Sequence, residues 1–167
     1  MKKIFTLVTV AVLMVTLAHA QTGWVDHKGD DRISVKFPVQ PKEIASGSFF
    51  AFDKDTTGYI FTIIDYMKVA GMDSVALDKE KDLPEFAVGM KTGYTKSNPD
   101  VKIDDFKVGK WKGFTCYTTS GVDSKKRQWD MFIFIIGNKM YGLQTMRNEH
   151  SSPEGRDAFF NSVVLSN

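Results

Sequence analysis

The sequence predicts an α+β fold: a largely antiparallel, twisted β-sheet flanked by helices. Three observations carry this. Short runs of alternating apolar and polar residues recur along the chain, separated by Gly-, Asp- and Asn-rich turns. One run, Met131 to Ile136, is apolar on both faces, so it reads as a central strand covered on each side. Two segments have helical spacing, one mid-chain and one at the C-terminus. Few parallel crossovers are left, so the sheet must be mainly antiparallel.

The chain opens with Lys2 and Lys3, an apolar run from Ile4 to Leu17, and Ala18-His19-Ala20. This pattern is a secretory signal peptide with a small-x-small cleavage site, which predicts a mature start at Gln21. No cysteine follows the apolar run, so no lipid anchor is expected. No later segment is long enough to span a bilayer. Residues 1–20 are therefore read as the signal and 21–167 as a single domain, with the mature protein periplasmic or secreted.

In the strand of residues 33–37, Ile33, Val35 and Phe37 share one face. Pro38 and Pro41 end it, which suits an edge strand. The stretch from Glu43 to Val69 reads as a hairpin turning at Asp53–Gly58. Residues 101–121 read as a second hairpin turning at Val108-Gly109-Lys110. Residues 127–147 read as a third, turning at Gly137-Asn138-Lys139. Between these, Leu83, Phe86, Ala87, Met90 and Tyr94 line up at helical spacing. Pro84 is tolerated only in the first turn, so the helix is placed at about 82–95. Gly89 and Gly93 weaken it by about 1 kcal/mol each relative to alanine, and are expected where the helix backbone lies close to the sheet. The last helix is expected over about 152–163, capped by Ser151 or Ser152 ahead of Pro153. Phe159, Phe160, Val163 and Val164 form its apolar stripe.

Composition excludes several functions. Removing Lys2 and Lys3 from the 22 basic residues leaves 20 against 20 acidic ones, so the mature chain is formally neutral. It carries no electrostatic footprint for nucleic acid or an anionic membrane. One cysteine forms no internal disulfide, and 13 Phe, 5 Tyr and 3 Trp supply the core instead. No nucleophile-elbow, zinc-protease or phosphate-loop motif is present.

The order of these elements resembles the PsbP/DcrB-like domains. The residues that carry the likeness are the "ISVKFPVQP" strand, the mid-chain helix, the "VGKWKGF" and "RQWDMFIFIIGNKMYGLQ" hairpins and the closing "DAFFNSVVL" helix. That family comprises photosystem II extrinsic subunits, bacterial envelope proteins and a Ran-binding import factor. The resemblance spans residues 24–165 and implies an α-β-α sandwich. It implies no particular function, because members of the fold do unrelated things. No metal- or partner-binding residue of the photosynthetic members is matched here.

The candidate sites are few. Asp53, Asp55, Thr57 and Gly58 start like a calcium loop, but its twelfth position holds Ile64 where a bidentate glutamate is required. The same residues suit a tight turn. His27 and His150 lie in polar stretches without further ligands, and read as solvated loop histidines rather than a metal pair. Residues 123–129, "DSKKRQW", read as a solvated basic turn. Cys116 has no base beside it in sequence and reads as a buried core thiol. The expected function is a non-catalytic binding or accessory protein of the bacterial envelope. Its partner would be an unidentified protein or small molecule, with no cofactor and no metal. Trp24, Trp111, Tyr94 and Tyr117 are the aromatics nominated for a binding surface. The alternative is a small thiol hydrolase using Cys116 with His27 or His150.

Overall fold

Ten consecutive residues of β8 and nine each of β9 and β10 form the centre of the molecule, which a computed structural model describes over residues 23–149 and 151–166. The elements run β1 (Val25–Lys28), β2 (Ile33–Phe37), β3 (Lys42–Ala45), β4 (Ser48–Phe52), β5 (Gly58–Asp65), α1 (Tyr66–Ala70), α2 (Ser74–Glu80) and α3 (Pro84–Ser97). They continue with β6 (Val101–Ile103), β7 (Lys107–Trp111), β8 (Phe114–Asp123), β9 (Gln128–Ile136), β10 (Lys139–Arg147), α4 (Glu154–Asn161) and β11 (Val164–Leu165). The signal-peptide reading falls outside the described residues. Among the described residues, no helix is long and apolar enough to cross a membrane.

The main sheet has eight strands in the order β3-β4-β5-β10-β9-β8-β6, with β7 sharing the outer edge of β8. Every pairing is antiparallel. As expected, β9 is central and covered on both sides, with Asp130 to Ile135 all buried. Its hairpin to β10 closes in two residues, and Gly137 supplies φ 60°.

One face of the sheet carries Tyr59, Phe61, Phe134, Tyr141 and Leu143. It packs against Ile33, Val35, Phe37 and Phe159 from β2 and α4. The other face carries Tyr117, Ile133 and Ile135 and packs against Leu77 of α2 and Ala87 of α3. Each large apolar side chain withdrawn from water in this way contributes about 1.5–3 kcal/mol.

Several expectations are corrected. β2 is not an edge strand of the main sheet. It is the middle of a separate three-stranded sheet, β1-β2-β11, and Pro38 lies just past its paired residues. The second hairpin turns at Lys112-Gly113, whose φ angles of 49° and 85° suit a type I′ turn, while Gly109 is paired mid-strand with Cys116. The β5 run ends at Asp65, which caps α1 by accepting the Met67 N–H. Asp73 caps α2 through the Ala76 N–H, and Gly71 closes α1 at φ 67°. Neither short helix was read from the sequence. The mid-chain helix starts at Pro84 and runs to Ser97, so Leu83 is its N-cap and about half exposed, not part of its apolar face. The last helix is shorter than expected. Ser152 Oγ accepts the Glu154 N–H at its start, and Val164 leaves it to pair in β11, half exposed.

Candidate functional site

Residues on α3 that repeat every three to four positions set the site. Phe86, Ala87, Met90 and Tyr94 face the sheet, and Ala87 alone of them is fully buried. The helix is held at its N-terminal end from below. The hydroxyl of Thr115, buried in β8, donates to Asp82 at 2.8 Å, and Lys110 reaches the same carboxylate at 2.9 Å. The Lys110 ammonium and the Thr115 hydroxyl hold the Asp82 carboxyl below its ordinary value. Tyr117 adds a hydrogen bond from its phenol to the Lys81 carbonyl.

Beyond Ala87 the helix does not seat fully on the sheet. A cleft of about 290 Å³ opens between α3 and strands β5, β10 and β9. Met90 and Tyr94 line it from the helix, Thr62, Met140 and Gln144 from the strands, and Tyr66 from α1. No charged side chain lines it. The Tyr94 hydroxyl lies 3.4 Å from Gln144 Oε1, and the Tyr66 hydroxyl 3.7 Å from Met140 Sδ. Burial pushes both phenols above their ordinary range, so both stay protonated donors. The arrangement is a largely apolar slot edged by uncharged polar groups, the hydroxyls of Thr62, Tyr66, Tyr94 and Ser97 and the amides of Asn98 and Gln144, the composition of a small-molecule pocket.

Gly93 lies on this cleft, and Gly89 lies one turn nearer the N-terminus of α3. The expectation that they let the helix touch the sheet is not met: a Cβ built on either meets nothing within 4 Å. Packing does not require them, yet Gly93 lines the cleft and Gly89 lines a neighbouring cavity.

The four nominated aromatics do not converge. Tyr117 is wholly buried and belongs to the core, so it offers no binding surface. Trp24 stacks edge-on to Tyr59 at 5.5 Å, on the opposite face of the sheet from Tyr94, and borders a groove of about 620 Å³. Trp111 lies over Phe134 at 4.7 Å and is half-buried. Only Tyr94 belongs to the cleft. Thr62, Met140 and Gln144 were not foreseen, because their facing is decided by strand register.

Cys116 is 8 % exposed and sits in the core beside Phe134, its cross-strand partner. Burial pushes its thiol up. His27 is not a solvated loop residue. It lies in β1 with its ring 4.2 Å from Phe49 and 5.7 Å from Phe37. Phe49 is on β4, four strand positions from β8. At about 4.8 Å per strand that is roughly 19 Å from Cys116, so the two are not brought together. His150 falls outside the described residues.

Asp53 is committed to its turn. Its Oδ1 accepts the N–H groups of Asp55 and Thr57 at 2.9 Å, and its Oδ2 accepts the Tyr59 hydroxyl at 2.8 Å. The basic stretch is the expected turn between β8 and β9. There Asp123 accepts the backbone of Lys125 and Arg127, the Arg127 guanidinium and the Trp129 indole. Among the described residues, no group of three or more His, Cys, Asp or Glu could hold a metal ion.

No family model matches the chain, and no curated protein matches it. Solved structures do. The chain is similar to the solution structure of cyanobacterial PsbP (CyanoP) from Synechocystis sp. PCC 6803. The identity is 14 %, the TM-score 0.56, and the match covers 86 % of this chain and 92 % of that one. A crystal structure from Bacteroides thetaiotaomicron VPI-5482 matches at 14 % identity and TM-score 0.49, over 87 % of this chain and 48 % of the other. The chain therefore spans about half the length of that structure. The fold is PsbP-like, as the order of elements implied.

Proposed function

We propose that this PsbP-like chain is an exported, non-catalytic binding protein of the bacterial cell envelope, and that it holds its ligand in the cleft beneath α3. One observation carries the reading: two helix-interior glycines that no contact requires border the cavities along α3. Each costs the helix about 1 kcal/mol. Residues that lower stability without a packing reason are characteristic of functional sites. The leader of residues 1–20 supports export to the periplasm or medium. The neutral mature charge supports a partner other than nucleic acid. The burial of Cys116 and its distance from His27 weigh against the thiol-hydrolase alternative.

The test is binding of an uncharged apolar fluorophore, N-phenylnaphthylamine, to the mature protein. Saturable binding that Gly93→Leu abolishes, in a variant that melts no lower than wild type, is the expected result. Equal, unsaturable dye uptake by both proteins would overturn the reading. N-terminal sequencing of the exported protein should begin at Gln21. An intact Met1 chain retained in the membrane fraction would refute export.

A further inference from the structure

The cleft does not end at Met90. On the other side of Met90 and Tyr66 lies a second cavity of about 340 Å³, bordered by Glu80, Leu83, Glu85, Phe86 and Gly89. Met90 and Tyr66 line both cavities. We infer that the two form one elongated binding channel along α3, and that its ligand is a single-chain amphiphile with an uncharged head. This inference rests on the binding function proposed above and specifies the ligand.

Four features argue for this shape and chemistry. First, Met90 and Tyr66 separate the two cavities, and Met90 is unbranched and adaptable, so it can move aside beside the Tyr66 ring for a chain passing between them. Secondly, Gly89 borders one cavity and Gly93 the other, so one flank of the helix is bare along the whole length. A flexible chain can lie against that backbone. From Phe86 to Ser97 the helix spans roughly 16 Å at about 1.5 Å per residue, a length that suits an extended alkyl chain better than a compact ring. Thirdly, the deep cavity has no charged lining, so a buried charge there would have no counter-ion. Fourthly, the outer cavity is bordered by Glu80 and Glu85, and neither carboxylate has a hydrogen bond or ion pair among the described residues. Two carboxylates bordering the channel disfavour an anionic head.

The experiment is displacement of N-phenylnaphthylamine from the mature protein by three probes: dodecanol, dodecanoate and naphthol. It is repeated with Gly89→Leu and Gly93→Leu. Dodecanol should displace the dye at least about tenfold more tightly than dodecanoate or naphthol. Both leucine variants should weaken dodecanol by at least about tenfold, because the chain occupies both cavities. Both variants should fold, since an added Cβ at either position meets nothing within 4 Å. If one does not, Thr62→Leu blocks the deep cavity from β5 and Leu83→Trp blocks the outer one, with the same readout.

If Gly93→Leu abolishes binding while Gly89→Leu leaves it intact, or naphthol binds more tightly than dodecanol, the ligand is compact. The channel is then wrong and the cleft proposal stands. If dodecanoate equals dodecanol, the uncharged head is wrong. If no probe competes and neither variant changes dye binding, the channel and the cleft proposal both fail.

Discussion

Arg147 Nη2 lies 2.7 Å from Asp130 Oδ2, on neighbouring central strands, with both side chains about nine-tenths buried. Arg156 of α4 approaches the same carboxylate at 3.6 Å, so the pair also ties the last helix to the sheet. Removing one partner strands a buried charge. Asp130→Ala should therefore cost about 3–5 kcal/mol. The pair is not fully satisfied, because Arg147 Nε has no hydrogen-bond partner. Asp130→Leu combined with Arg147→Met should accordingly cost far less than either single change. Urea unfolding midpoints of the singles and the double variant check this.

His27 makes stability pH-dependent. Desolvation lowers its pKa below 6.5, against an opposing pull from Glu43, and its Nε2 is buried without a partner. The folded state therefore resists protonation more than the unfolded state does. Above pH 6.5 the group has no effect. As pH falls from about 6.5 toward the folded value, the unfolded chain binds the proton first and stability drops. His27→Phe should flatten the part of the stability profile that lies in this window. An NMR titration placing the His27 pKa above 6.5 would contradict the assignment.

Gly89→Ala and Gly93→Ala should each stabilise the protein, by about 0.5–1 kcal/mol, because helix propensity improves and the new methyl meets nothing. Thermal or chemical melts measure this directly. A loss of stability at either position would mean that the glycine serves packing after all.

Cys116 should react slowly with a maleimide at neutral pH. It is buried, and desolvation raises its thiol pKa, so little thiolate exists. Labelling should accelerate only in denaturant. Cys116→Ser should cost about 1–3 kcal/mol if the new hydroxyl finds no partner, with ligand binding by the folded fraction unchanged. Rapid stoichiometric labelling of the native protein would restore the thiol reading.

The fold class was legible because the main strands carry their burial in their own alternation. Met131 to Ile136 reads as central from its composition alone, and that run is covered on both faces. The Gly137 turn reads from turn chemistry. The Lys112-Gly113 turn was misplaced because Val108-Gly109-Lys110 is an equally good local signal. Only pairing with the full length of β8 decides which glycine turns and which one pairs. The two short helices α1 and α2 were missed although Asp65, Asp73 and Gly71 supply their caps, because Ile63 and Ile64 carry the strand pattern up to them.

Some properties follow from the sequence by itself: the central β9–β10 hairpin with its Gly137 turn, the Phe86, Ala87, Met90 and Tyr94 face of the mid-chain helix and the buried setting of a lone cysteine. Each depends on local periodicity, composition or intrinsic burial tendency. The tertiary structure decided what lies opposite what. It moved β2 into a second sheet, drew Tyr117 into the core, set His27 between phenylalanines, and left Gly89 and Gly93 facing open space. The cleft is of this second kind. Met90 and Tyr94 meet Thr62, Met140 and Gln144 only through the register of β5 on β10 and the packing of α3 over them. Those long-range pairings leave no mark in any single stretch of chain.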